Sequence, residues 1–335
     1  MSKLIQPDGK PHFGIVEQPW SEINYLDFDL RNPMNKKLGW LGKQLGYNHF
    51  QYFGVISETL IFGCAQVDMK YGGVLFCYVY NVKTKQLKEW NFKDIGWWGT
   101  KTVNTPGEGV SYFKRGNKRV EFINQESPRE KRLVINFPGE LEVDVVFSET
   151  QPDFDPMCIT TKAGTNGWVY AQKVAGVHCY GSVKCLFSGE EYDMQRISAY
   201  AHHDWSAGYM RRETFWEWAC FSGELEGKRI GLNLSCGVNE TSFTENCYWI
   251  DGKLIKVDTV KFEYERDDVA SQWQITSHDG QIDLRFTPEG FHAEKQNLLI
   301  AASNFKQFFG YFEGRMGELE LAKQYGFVED QYSKW

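Results

Sequence analysis

The 335-residue chain has a formal net charge of −7, and its Lys and Arg residues are dispersed without a basic face or stripe, which argues against a nucleic-acid partner. No stretch approaches about 18 uninterrupted apolar residues, so no transmembrane segment is expected, and the amino terminus, MSKLIQPDGK, has no apolar signal region. Eight cysteines with no C-x-x-C pair read as reduced, mostly buried thiols of a cytoplasmic protein, not as a disulfide framework or a zinc site.

In chain order, a short helix is expected near Met34 to Leu45. The turn Tyr71-Gly72-Gly73 then leads into Val74 to Val82, a wholly apolar run that suits a strand covered on both faces. Trp97-Trp98, between Gly96 and Gly99, form either a loop plug or the lip of a pocket. After the turn Arg115-Gly116-Asn117, Leu141, Val143, Val145 and Phe147 alternate with Glu142 and Asp144. The turn-rich Gln151 to Pro156 breaks the pattern, strand texture resumes from Trp168 to Phe187, and Gly189-Glu190-Glu191 breaks it again. Further alternation follows at Ile230 to Cys236, Val260 to Tyr264 and Ile282 to Phe286, punctuated by Asp251-Gly252 and Asp279-Gly280. The tail after Leu319 is the other place where a short helix is expected.

Period-two alternation puts one strand face on a core and the other in water, and Asp-Gly supplies the positive φ of tight hairpins. The chain therefore reads as all-β and antiparallel, with few short helices. Periodicity alone does not separate barrels from a sandwich. The breaks divide the chain into residues 1–190 and 191–335, with the reactive cluster in the second unit.

That cluster runs from Ala201 to Trp218 and gathers His202, His203, Asp204, Trp205, Arg211, Arg212, Trp216, Glu217 and Trp218. A carboxyl group placed against tryptophans loses hydration, so its pKa rises and it can act as a general acid. Asp204 is the candidate; its alternative is a structural carboxylate bonded to turn amides or to Arg211 or Arg212. On a strand, His203 shares a face with Trp205, and His202 with Asp204. Trp216 and Trp218 face one way, whereas Glu217 joins the apolar row Phe215, Ala219 and Phe221, where it needs either a function or an inward arginine. Dinucleotide, P-loop, zincin and serine-hydrolase signatures are absent, so no cofactor and no metal is expected.

His202-His203-Asp204-Trp205-Ser206-Ala207-Gly208, followed by Arg212, Thr214, Trp216 and Trp218, resembles the core signature of the bacterial domain-of-unknown-function family 2804 (DUF2804). Tyr52-Phe53-Gly54-Val55, Tyr71-Gly72-Gly73, Glu245-Asn246, Asp251 to Leu254 and Phe305 to Gly314 fit as well, so the resemblance covers most of the chain. The family is more remotely similar to tandem lipocalin-like proteins: carotenoid 1,2-hydratases, attachment-locus proteins, yeast survival-factor proteins and fungal pericyclase-like enzymes. The resemblance implies two calycin-type barrels packed side by side. In the hydratases an aspartate protonates an isolated double bond, and Asp204 is the matching position by motif.

The expected function is binding of a medium-sized, largely apolar molecule, lipid- or isoprenoid-like, in a β-barrel pocket. Trp205, Arg212, Trp216, Trp218, His202 and Trp97 are the candidate ligand contacts. The alternative is a cofactor-independent hydratase, isomerase or cyclase with Asp204 as acid and His203 or Glu217 assisting. A second alternative is a carbohydrate-active protein, since carboxylates beside tryptophans also suit sugars. The sequence does not fix the oligomeric state.

Overall fold

A computed structural model describes residues 2–95, 98–150, 154–238, 243–268, 270–297 and 302–334. The alternating segments form two large antiparallel sheets, one of 14 strands and one of nine. Each curls around its own apolar core, and one short α-helix, Trp40–Gly46, precedes the first long strand. Among the described residues no helix is long and apolar enough to cross a membrane.

The expected turns fall where they were read. Asp251 and Gly252, at φ 52° and 87°, join the paired strands Cys247–Ile250 and Lys253–Lys256. The apolar run at Val74 lies in the strand Gly72–Asn81 and is covered on both sides. Leu75, Cys77 and Val79 enter the first core, while Tyr78 and Tyr80 pack against the second sheet. All eight cysteines are free thiols, and seven are buried.

Two expectations are corrected. The tail is the strand Leu319–Lys334, paired on both edges; Gly326 in its middle disfavours a helix and allows close approach to the carbonyl of Cys220. The cluster His202 to Gly208 belongs to the first sheet, where Tyr200–Gly208 lies between Asn48–Ile56 and Gly167–Cys185. Gly189, at φ 74°, marks only a tight turn from Gly167–Cys185 into Glu190–Asp193. The chain passes to the second sheet between Gly208 and Glu213.

The sheets meet through an aromatic seam. Tyr52, Tyr78 and Tyr80 of the first pack on Trp218, Phe309 and Phe327 of the second, and the Tyr52 and Tyr78 hydroxyls lie 2.7 Å apart. Gly63 makes room for this pair: a Cβ there would stand 2.4 Å from the Tyr52 hydroxyl and 2.6 Å from that of Tyr78. Gly63→Ala is expected to cost roughly 1–3 kcal/mol through overpacking. Urea denaturation checks this, and an unchanged midpoint would mean that the seam is loosely packed.

Candidate functional site

Strand alternation distributes the motif over two faces. His203 and Trp205 point into the first barrel, while His202, Asp204 and Ser206 point toward the second sheet. In the strand Glu213–Leu225, Trp218 faces the first sheet, and Ala219 and Phe221 enter the second core. A groove opens between the sheets where the aromatic seam ends.

The groove has two lobes. The narrow one, of about 80 Å³, is lined by Lys173, Asp204, Ser206, Thr214, Trp218 and Glu245 among others. The wider one, of about 240 Å³, is largely apolar, with Met69, Val74, Phe76 and Phe305 in its wall. Phe50, Val67, Trp216 and Glu329 line both lobes. The first barrel's interior is filled at this level by its own side chains, among them Phe53, Phe122 and Phe147. The groove thus lies between the two sheets and not inside the first barrel.

The narrow lobe is built on a buried charge cluster. Lys173 sits opposite Asp204 on the neighbouring strand, with its Nζ 2.5 Å from Asp204 Oδ2 and 3.3 Å from Glu245 Oε1. The Ser206 hydroxyl donates to Asp204 Oδ1 at 2.6 Å, so both oxygens of Asp204 are engaged. The Lys173 ammonium also stands 4.6 Å from the centre of a Trp218 ring, within cation–π range. Burial alone would lower the pKa of Lys173, but Asp204 and Glu245 outweigh it and raise the ammonium above its ordinary value. The partner of Asp204 is therefore this lysine rather than Arg211 or Arg212.

Glu329 lies where the lobes meet and is only 4% exposed. It occupies a rung between Gln307 and Trp218. The Gln307 amide donates to Oε1 at 2.9 Å and the Trp216 indole N–H to Oε2 at 3.1 Å. Burial pushes the carboxyl pKa up to about 8, with Asp204 adding to the rise, against the two hydrogen bonds and the charge of Lys173. A carboxyl raised in this way favours its protonated form at neutral pH. This is the environment the sequence reading assigned to Asp204.

Of the residues singled out in the sequence, Asp204, Trp216 and Trp218 come together at the groove. His202 is buried beside Tyr52 and Phe327, and burial lowers its pKa to about 3, keeping it neutral. His203 and Trp205 face the first barrel's interior, where His203 Nε2 lies 2.7 Å from Glu149 Oε1. Glu217 lines a separate surface depression beside the second core, accepts from the Cys236 thiol at 3.0 Å and has Arg266 at 3.7 Å. Arg212 is exposed at the crossover between the sheets. Trp97 lies outside the described residues, and Trp98 is exposed. The sequence gives no site role to Lys173, Glu245 or Glu329, although Glu245 lies in a segment that carries the family resemblance and Lys173 is a lone lysine in the apolar run Trp168 to Val177.

Among solved structures, a crystal structure of CghA with Sch210972 is 9% identical at a TM-score of 0.60, covering 97% of this chain and 99% of that one. A second CghA crystal structure is 10% identical at 0.57, covering 100% and 97%. Kievitone hydratase from Nectria haematococca is 12% identical at 0.51, covering 85% and 89%. These likenesses establish a shared fold. No curated protein matches the sequence. The model of the family described as "Domain of unknown function (DUF2804)" matches residues 1–335.

Proposed function

The chain belongs to the DUF2804 family, and from that premise we propose that it binds a largely apolar small molecule between its two sheets and transfers a proton to it from Glu329. The observation that carries this reading is the buried carboxyl of Glu329 on the wall of an apolar groove, where burial raises its pKa. The wide lobe takes the hydrocarbon body, since its wall offers Phe50, Phe76 and Phe305. The narrow lobe takes the reacting end.

Proton transfer from Glu329 to one carbon of a double bond forms a C–H bond from the π pair and leaves a cation on the neighbouring carbon. The faces of Trp216 and Trp218 shelter that charge, and Asp204 with Glu245 gives the lobe a net negative field against Lys173. Water adding to the cation completes a hydration, and its released proton returns to the Glu329 carboxylate. Loss of a proton from an adjacent carbon to the same carboxylate completes an isomerisation. Asp204 acts here as an electrostatic partner and not as the acid. Kievitone hydratase is by its name a hydratase, and the proposal extends that class of chemistry to this chain.

The test is native mass spectrometry of freshly purified protein, followed by organic extraction of whatever is released. A defined apolar compound is expected, and incubation of that compound with the protein in deuterated water is expected to label it at carbon. Trp216→Ala removes a wall shared by both lobes and is expected to weaken retention of the compound at least tenfold, taking an aromatic wall contact as about 1.4 kcal/mol or more. A protein that takes up no apolar compound would count decisively against the groove as a binding site.

A further inference from the structure

The motif also presents side chains to the inside of the first barrel, on the opposite face of the strands that wall the groove. There the rings of Phe122 and Phe147 lie 5.2 and 5.1 Å from that of Phe53. The strand registers carry this apolar layer around the wall, since Phe53 stands opposite Cys64 and His203. Two residues further along each strand, toward one end of the barrel, the wall turns polar. Gln51, Asn124 and Glu149 follow the three phenylalanines, and Lys131 is paired with Asn124. Trp205 and Gln172 continue the rung from Gln51.

These polar residues are deeply buried, with Gln51, Gln172, Asn124, Lys131 and Glu149 at most 3% exposed. Arg129 stands at the rim, its side chain 18% exposed, and donates to Glu149 at 2.8 Å. Burial works against charge on Glu149, but His203, Lys131 and Arg129 outweigh it and hold its carboxyl below the ordinary carboxylate range. Burial lowers the pKa of His203, against the pull of Glu149. Lys131 and Arg129 both act on the Glu149 carboxylate, and Glu126 adds its charge beside Lys131. The Lys131 ammonium, whose pKa burial lowers, donates to the Pro106 carbonyl at 2.9 Å.

Much of the hydrogen-bonding capacity of this layer is unused. Both amide atoms of Gln51, Gln172 and Asn124, the Trp205 indole N–H and Nη2 of Arg129 have no hydrogen-bond partner among the described residues. Leaving buried polar groups unpaired is costly, and in native structures almost all of them find a partner. The spare N–H donors of three amides, an indole and a guanidinium, close to the Lys131 ammonium, match a compact ligand rich in oxygen and negatively charged. We propose that this polar layer is a binding site for one small oxyanion, a carboxylate or phosphate group, separate from the groove and reached past Arg129.

The test titrates wild-type protein with acetate and, separately, with inorganic phosphate at constant ionic strength, following the melting temperature. One of the two is expected to give a saturable rise, and which one does so distinguishes the carboxylate from the phosphate. Lys131→Met removes a charge-assisted hydrogen bond and is expected to weaken that binding about ten- to hundredfold. If Lys131→Met does not fold, Gln172→Leu serves, since it deletes two unpaired polar atoms and no charge. The idea is overturned if neither anion gives a saturable effect, or if the effect survives unchanged in the variant. A crystal structure of the wild type in the effective anion, with separate waters alone in the polar layer, would overturn it as well.

Discussion

Lys173→Met is expected to lower the unfolding free energy by about 3–5 kcal/mol, because it leaves buried carboxylates without their cation. Asp204 and Glu245 are each about 4% exposed and lie 2.5 and 3.3 Å from the ammonium that the substitution deletes. Met preserves much of the stem's packing on Trp218, so most of the loss is electrostatic. Guanidinium denaturation at pH 7 measures it. The double variant Lys173→Met with Asp204→Asn is expected to recover part of the loss, since one of the two stranded charges is then gone, and the resulting cycle isolates the pair's coupling. A loss below about 1 kcal/mol would mean that water reaches this lobe freely and that the carboxylates are solvated, as at an exposed pair.

The same cluster shows how far residue patterns reach. Alternation read the strand Leu141–Ser148 correctly, because it buries one face only, and it also found Lys228–Cys236, although packing covers both faces of that strand from Arg229 to Leu234. It also anticipated the doubly covered run at Val74, since a strand with a core on each side cannot alternate. The two faces of the His202 to Gly208 segment were legible for the same reason, as was the opposition of Trp216 and Trp218 to Glu217. What each face meets was not. Asp204 finds Lys173 from 31 residues away, and Trp216 finds Glu329 from 113 residues away. The first pairing depends on Gly167–Cys185 lying beside Tyr200–Gly208, and the second on the tail adding a strand beside Glu213–Leu225, which local propensity around Leu319 does not announce. The sequence places the carboxyl of Asp204 beside Trp205, while the fold also sets a second carboxyl, Glu329, against Trp216. Neither Asp204, which adjoins Trp205, nor Glu217, which lies between Trp216 and Trp218, stands opposite Trp218 in register; Glu329 does. The unit boundary shifted by a similar mechanism, a turn around Gly189 having the composition of a linker.

Glu329→Gln is expected to keep ligand binding, to lower turnover of the bound compound by roughly 10²–10⁴-fold, the span of general acid catalysis, and to change how stability depends on pH. The Glu329 carboxyl is raised from 4.5 to about 8 in the folded chain. Below about pH 4.5 both folded and unfolded states hold the proton, and the group does not oppose folding. Between about 4.5 and 8 the unfolded chain ionises Glu329 while the folded chain keeps it neutral, so stability falls as pH rises, with a slope approaching about 1.4 kcal/mol per unit. Above about 8 both states are ionised and the loss is complete. Glutamine has no proton to release, so the variant is expected to lack this component and to gain on the wild type from pH 5 to 9. Its amide fits the site, because Gln307 has an unengaged Oε1 and can rotate its amide to accept from the new N–H₂, while Trp216 donates to the new carbonyl. Parallel denaturation curves across that range decide the matter without knowledge of the ligand. Identical pH profiles would show Glu329 already ionised at neutral pH, and proton donation in the groove would then have to come from another group.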